Sequence, residues 1–494
     1  MEVKKIAMIG CGSMGGGMAL LYAEKGIHVS LQDPSEEAMR GIKKQAEKEG
    51  FGDRISIHGT YKSLCSSLDS PRVFFFSLPH GKVGDAVLEG LEPHLSKGDI
   101  IIDAGNEHFS NTERRQGKAI VRGVRYIGMG VSGGYQAARR GPSMCPGADD
   151  QTLDMVMPLL AKAAAKDDKG KACVGKAGSG GAGHYVKMIH NGIEHGMMSA
   201  VSEAWSIMVH GLGMSYDEIA DELTRWNADG ELRGTFLVSI GIRICTAKDP
   251  KTGERVLRTV EDKVVQDVTG EEGTGIWSNT ESVEEHIPAP TLSTAHFLRL
   301  ASSDRAQRRK VHNAFSTTWP AREMPVSDRK AFLEDLRQAV YASCLCAYIQ
   351  GLNIINKTNL DRGWNIDFAA VWQIWRAGCI IQADYIAELL HPILSDYQKQ
   401  DLTNLLTRKA IADEMVRCKP ALQRIVGQAV TYDHVAPAMS ASLEYVKYQT
   451  GLELPTQFYE AELDYFGKHM YDRTDEDEEE APVEGKQHFE WKPA

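Results

Sequence analysis

The sequence predicts a parallel, doubly wound α/β domain, then a large all-α domain, then a C-terminal tail. Three observations predict this. Short apolar runs alternate with helical patterns over the opening stretch. Helical periodicity takes over after Gly183 and persists to about Leu452. From Tyr459 the composition changes to aromatic residues and an acidic run, Asp475 to Glu480. Alternation of helices with wholly apolar strands calls for a parallel sheet covered on both faces. The expected boundaries are 1–179, 180–455 and 456–494.

Val3 to Ile9 is the first strand-like run, and it stops at Gly10-Cys11-Gly12-Ser13-Met14-Gly15. A helical pattern follows through Met18, Leu21 and Tyr22, and a second strand, Ile27 to Leu31, ends at Gln32-Asp33. A G-x-G-x-x-G turn in this setting, with an acidic residue after the second strand, is the fingerprint of a Rossmann dinucleotide site. Gly10 permits the tight turn, Gly12 admits the pyrophosphate, and Gly15 lets the helix pack on the strand. The helix N-terminus around Ser13 and Met14 supplies amide donors for phosphate. Asp33 can accept both ribose hydroxyls of NAD and would repel the 2′-phosphate of NADP, which favours an Arg. Pro34 and Ser35 bring no cation in its place.

Further strands are expected at Val73–Ser77, Ile100–Asp103 and Arg125–Ile127, with helical patterns such as Val83–Leu95 between them. Loops at strand C-terminal ends face the ligand in such a sheet. Three are candidates: Ser77-Leu78-Pro79, Ala104-Gly105-Asn106, and Val131-Ser132-Gly133-Gly134. Asn106 and Ser132 offer hydrogen bonds at the ring end of a bound dinucleotide, although Asn, Ser and Gly also favour turns on their own account.

The second domain opens on GGAGHYVKMIHNGIEHGMMSAVSE, Gly180 to Glu203. At about 100° per residue, Lys187, His190, Asn191 and Glu194 share one narrow arc, while Val186, Ile189, Ile193 and Met197 share another that can bury. An amine, an imidazole, an amide and a carboxyl on one stripe suit acid–base chemistry. An ordinary solvated face would carry several Lys and Glu rather than one of each around His-Asn. The preceding glycines allow another backbone or a ligand to approach closely. Lys248 to Thr274, rich in charge, Thr and Gly, reads as a long surface excursion.

Composition excludes several classes. Apolar content of 42% and charged content of 25% are those of an ordinary globular protein, and the formal charge of -11 argues against a general nucleic-acid binder. The nine cysteines show no paired metal-ligand spacing, so reduced thiols in a cytoplasmic protein are expected, and no metal. No apolar run reaches membrane-spanning length, and MEVKKIAMIG is too short before its first strand for a signal peptide.

Taken together, the motifs resemble those of the decarboxylating 6-phosphogluconate dehydrogenase family along nearly the whole chain. The resemblance is carried by IGCGSMGGGMA, GDIIIDAGNEHFSNT, YIGMGVSGGYQAARRGPSMCPGA, GAGHYVKMIHNGIEHG, GTGIW, FLEDLRQAVYAS, WRAGCII, DYFGKH and HFEW. It implies oxidation of 6-phospho-D-gluconate, a 3-hydroxy acid, to ribulose 5-phosphate and CO₂ with reduction of NAD(P). It also implies a homodimer whose C-terminal tails thread into the partner subunit. By motif, Lys187 matches the base that later turns acid, and Glu194 the final acid. A Lys serves as base only where burial and neighbours lower its pKa. Ser132, Gly133, Gly134, His190 and Asn191 match substrate-binding positions. Asn106 matches a contact to nicotinamide and substrate, and Arg299 and His469 match retained substrate residues.

The departures from the family pattern cluster. His195 stands for a Tyr, Ile276 for a Lys, Ser278 for a Thr and Leu463 for an Arg, and Glu271-Glu272 stand for Gln-Lys. The family's Tyr, second Lys, Thr and Arg hold the substrate phosphate, so weak or altered phosphate recognition is expected. Asp33-Pro34-Ser35 replaces the Asn-Arg-Thr of members that use NADP, so NAD is favoured. Two other readings follow: a paralogue acting on an unphosphorylated 3-hydroxy acid, and a non-catalytic dinucleotide-binding protein. Retention of Lys187, Asn191 and Glu194 weighs against the latter, because a sensor needs no acid and base.

Overall fold

The computed structural model describes residues 2–269, 273–474 and 485–491; Glu271, Glu272 and the acidic run lie outside them. The strands are β1 (Lys5–Ile9), β2 (His28–Gln32), β3 (Ile55–Ile57), β4 (Val73–Phe76), β5 (Ile100–Asp103), β6 (Arg125–Ser132) and β7 (Ser143–Gly147). They form one sheet in the order β3-β2-β1-β4-β5-β6-β7. Pairing is parallel from β3 through β6, and β7 runs antiparallel to β6 at the edge. The sequence reading expected a wholly parallel sheet. It missed β3, which is only three residues long, and β7, whose Ser-Met-Cys-Pro-Gly lacks an apolar run. It also ended β6 too early, since Gly128 and Gly130 interrupt that strand's pattern.

Alternate strand residues feed two apolar layers. Ile6, Met8, Phe75 and Ile102 pack into one, and Ala7, Ile9, Phe74, Phe76 and Ile101 into the other. Burial on both faces is why these strands read as continuous apolar runs rather than alternating ones. The strand order reverses between β1 and β4, and ligands bind at such a switch point, beyond the strands' C-terminal ends. Ser77 donates its N–H to the Ile9 carbonyl there (2.8 Å), which sets the loop after β4 beside the Gly10 turn.

The described chain divides into two compact units, Met1–Leu443 and Glu444–Ala494. Within the first, the helix Ala182–Ser206 lies hard against β6 and β7. Added Cβ atoms show how close the approach is. One on Gly183 would stand 2.2 Å from the Gly128 carbonyl oxygen, and one on Gly130 would stand 2.3 Å from the Lys187 Cβ. Glycine in strand and helix alike therefore brings Lys187 onto the end of the sheet. Val186, Ile189, Ile193 and Met197 are fully buried, as the second arc required, and the 34-residue helix Arg329–Arg362 packs alongside.

The second unit holds the helix Thr456–Gly467 and the end of the chain. Tyr471 and Gln487 exchange backbone hydrogen bonds. The Asp464 carboxylate accepts from Met470 N–H, Phe489 N–H and the Trp491 indole, and pairs with His488. His469 lies in this unit, its ring edge-on to Phe466. No helix among the described residues is long and apolar enough to cross a membrane.

Candidate active site

The Gly-rich turn has the form a dinucleotide needs. Gly10 has φ 95°, and a Cβ there would lie 2.2 Å from the Ser77 carbonyl oxygen. A Cβ on Gly15 would lie 2.0 Å from the Gly10 carbonyl oxygen, whereas one on Gly12 would meet nothing within 4 Å. So Gly10 and Gly15 serve turn and packing, and Gly12 leaves an open approach. Gly12 is the N-cap of the helix Ser13–Glu24 and has no side chain to cap it, which leaves the first-turn amides to a ligand. At the end of β2, the Asp33 carboxylate accepts from Cys11 N–H and from Ser35 N–H, each at 2.7 Å. Ser35, not Asp33, caps the next helix, by accepting from Ala38 N–H. The carboxylate is thus aimed and stays partly exposed. These residues fit the phosphates and adenosine ribose of a dinucleotide.

From this turn a cleft of about 750 Å³ runs across the loop ends to the helix Ala182–Ser206. It gathers most of the residues singled out in the sequence. Gly12, Ser13 and Met14 line one part; Ser77, Asn106, Ser132, Gly133 and Gly134 line the middle. Lys187, Asn191, Glu194, His195 and Arg299 line the rest. Gly10, Gly15 and Asp33 do not line it; Gly10 and Gly15 support the turn from below.

Lys187 is only 7% exposed. Its Nζ donates to Asn191 Oδ1 (2.7 Å) and lies 3.4 Å from His190 Nδ1. Asn191 Nδ2 donates onward to Thr274 Oγ1 (2.7 Å). His190 was expected to touch substrate, but it is 1% exposed and sits behind the lining. Its Nε2 lies 3.0 Å from Ser132 Oγ and 3.1 Å from Cys379 Sγ, and its Nδ1 lies 3.0 Å from Asn191 Oδ1. Burial, then the Lys187 charge, holds the His190 imidazole well below its ordinary pKa, so it is neutral. A neutral ring that donates from Nδ1 to Asn191 and accepts at Nε2 from Ser132 satisfies both sides. His190 therefore orients Asn191 and Ser132. Glu194, two turns along from Lys187 or roughly 10 Å of axial rise, faces the same cleft, with its Oε2 3.8 Å from His190 Nδ1.

At the far end Arg299 donates from Nε to Asp267 Oδ2 (3.1 Å) and contacts His195 Nε2 through another nitrogen. The His195 ring stacks parallel to His296 at 6.0 Å. Ile276 and Ser278 stand outside the cleft that their motif borders. Gly273, Thr274 and Trp277 line the cleft, but Ile276 does not, and it is 48% exposed. On a helix beginning at Thr274, position 276 falls about 200° away from it. Ser278 is buried, its Oγ 2.8 Å from where a Cβ on Gly192 would stand. Neither Ile276 nor Ser278 lines the cleft in this structure.

Several further residues line the cleft with little signal of their own in the sequence. Thr274 and Ile380 lay inside recognised motifs, GTGIW and WRAGCII, and each bonds a singled-out residue: Ile380 N–H donates to Ser132 Oγ (3.3 Å). Gln266 lines the cleft and Asp267 anchors Arg299 from a stretch read as a surface excursion, and nothing in its composition marked them. Trp277 stands edge-on to both His80 and His108, each at 5.2 Å, ring contacts between stretches distant in sequence.

A dinucleotide turn and an acid–base helix on one cleft define the class: a nicotinamide-dependent oxidoreductase. Residues 5–178 match the NAD binding domain of 6-phosphogluconate dehydrogenase, and residues 183–491 match the C-terminal domain of that enzyme. The chain belongs to the 6-phosphogluconate dehydrogenase family. It is 43% identical to the decarboxylating 6-phosphogluconate dehydrogenase of Emericella nidulans, over 97% of this chain and 100% of that one. It is 36% identical to decarboxylating 6-phosphogluconate dehydrogenase 2 of Arabidopsis thaliana, over 99% and 97%. Among solved structures, Plasmodium falciparum 6-phosphogluconate dehydrogenase, studied in apo form and with NADP+ and 6-phosphogluconate, matches with a TM-score of 0.88. That match has 32% identity and covers 99% of this chain and 100% of that one.

Proposed function

We propose that the chain oxidises and decarboxylates 6-phospho-D-gluconate to ribulose 5-phosphate and CO₂ with reduction of NAD(P), a step of the pentose phosphate pathway. One observation carries the reading: Lys187, Asn191 and Glu194 open from one helix face onto the cleft that begins at the Gly12–Met14 turn. Gly12, Ser13 and Met14 would hold the phosphates, Asp33 the adenosine ribose, and Ser77 and Asn106 the nicotinamide end. A bound nicotinamide would supply the hydride acceptor for substrate C3.

The chain's own groups do the rest. Lys187, with a neutral amine, takes the C3 hydroxyl proton. The resulting β-keto acid loses CO₂ because the ketone oxygen can take up the electrons, and the Lys187 ammonium protonates that oxygen. Glu194 then protonates C1 of the enediol. Asn191, fixed between Lys187 and Thr274, holds the amine at the reacting hydroxyl. Ser132, Gly133 and Gly134 hold the carboxylate end, and Arg299 with His195 the distal end. His469 would come from a partner's tail.

A second reading, a paralogue for an unphosphorylated 3-hydroxy acid, is favoured by one feature. Arg299 already spends its Nε on the buried Asp267 carboxylate, which offsets the charge a phosphate dianion needs. The deciding experiment is kcat/KM for 6-phosphogluconate and for gluconate, with NAD and with NADP, following CO₂ release. Preference for the phosphorylated acid is expected; a clear preference for gluconate overturns it in favour of the paralogue.

The working state we propose is a homodimer with exchanged tails, in the cytoplasm. Exposed Val265 and Val268 on one helix and Phe297 and Leu300 on its neighbour support an apolar interface. Nine free, buried cysteines are consistent with a reducing compartment. Sedimentation of the purified protein should give the mass of two chains, and a monomer at working concentration would rule out tail exchange.

A further inference from the structure

We propose that Arg115 is a positioning residue for the coenzyme half of the cleft, clamping the loop after β4 to the loop after β5. Its side chain is 1% exposed, on the helix Phe109–Val121. The guanidinium donates from NH2 to the Gly81 carbonyl (2.7 Å), from NH1 to Glu107 Oε2 (2.8 Å), and from Nε to Asp85 Oδ1 (3.0 Å). Asp103 Oδ2 lies 3.3 Å from NH1.

Two of these partners tie the loop ends. Gly81 closes the loop whose residues Ser77 to His80 line the cleft, and Glu107 follows Asn106 directly. Glu107 completes the clamp by accepting from Gly81 N–H and His108 N–H, both at 2.8 Å, and from Asn111 Nδ2. Asp103, at the end of β5, accepts from Gly105 N–H and the Tyr126 hydroxyl. The space is made for a guanidinium, since a Cβ on Gly84 would stand 2.8 Å from its atoms. Burying a charge among carboxylates is costly, and an apolar plug would fill the space at less cost. What the planar fork adds is direction: it binds two loops at fixed spacing, which a single ammonium cannot.

The inference rests on the reading of this cleft as a coenzyme site, so dinucleotide binding to the wild type is measured first. Absence of binding there would overturn that reading, and this inference with it. Given binding, Arg115→Lys keeps the charge and loses the fork. A displacement of Asn106 and Ser77 of order 1 Å can cost up to about 10²-fold. The expected result is a dinucleotide Kd raised tenfold or more, with a clearly smaller rise in KM for the sugar acid, which meets this half of the cleft through Asn106 alone. A merely structural residue would lower the melting temperature and the active fraction but leave both constants unchanged, and that outcome overturns the proposal. Should Arg115→Lys not fold, Glu107→Gln decides. It keeps the shape and removes one acceptor of the clamp, and the same split between Kd and KM supports the proposal while unchanged constants defeat it.

Discussion

Replacing Lys187 with alanine should lower kcat by roughly 10²- to 10⁴-fold, the usual loss for a positioned general base, while dinucleotide affinity stays within a few-fold of wild type. The two effects separate because Lys187 sits on the helix packed against β6, three strands across the sheet from β1 and its Gly10 turn. Its Cβ packs against Gly130 while only its amine reaches Asn191. Alanine keeps the Cβ contact and removes the amine. The fold should tolerate this, because the amine's partner Asn191 keeps its bonds to His190 and Thr274. Glu194→Gln should also cost about 10²-fold, since the amide keeps the volume but has no acidic proton for C1. The readout is steady-state turnover beside equilibrium binding of the coenzyme. Turnover of Lys187→Ala close to wild type would remove the proposed mechanism.

The acid–base stripe was legible because a helix repeats: residues at i, i+3, i+4 and i+7 had to share a face, whatever it packed against. The Gly-rich turn was legible because its three glycines answer three separate steric needs. What the helical period could not supply was depth. His190 and Asn191 are neighbours on the same stripe, yet one is buried behind the lining and the other faces the cleft, and only the packing of Ser132 and Cys379 decides which. Asp267 and Gln266 come from a charged excursion that returns to the cleft, a long-range contact with no local pattern. Ile276 misled for the opposite reason. It lies inside a motif whose neighbours do face the site, and the helix phase beginning at Thr274 turns it to solvent. The edge strand β7 is hidden in the sequence because Ser, Cys, Pro and Gly fill a buried strand there without forming an apolar run.

NAD should be preferred over NADP by about 10²-fold or more in kcat/KM. A carboxylate facing a 2′-phosphate in a partly desolvated site opposes binding by several kcal/mol. The structure sharpens the expectation drawn from Asp33 in the sequence. That carboxylate is held on both oxygens, by Cys11 N–H and by Ser35 N–H, so it cannot swing aside to admit the phosphate. Three cations of the segment after Asp33 have partners of their own. Lys43 donates to the carbonyls of Gly52 and Ile55, and Arg54 to that of Ala23. Arg40 pairs with Glu36 over an exposed surface, an interaction worth at most about 1 kcal/mol. The double substitution Asp33→Asn with Pro34→Arg removes the repulsion and adds a guanidinium, and should move the ratio towards NADP by at least tenfold. Should the wild type prefer NADP instead, the assignment of Asp33 fails. Arg40→Ala would then show whether that loosely held cation turns to meet the phosphate.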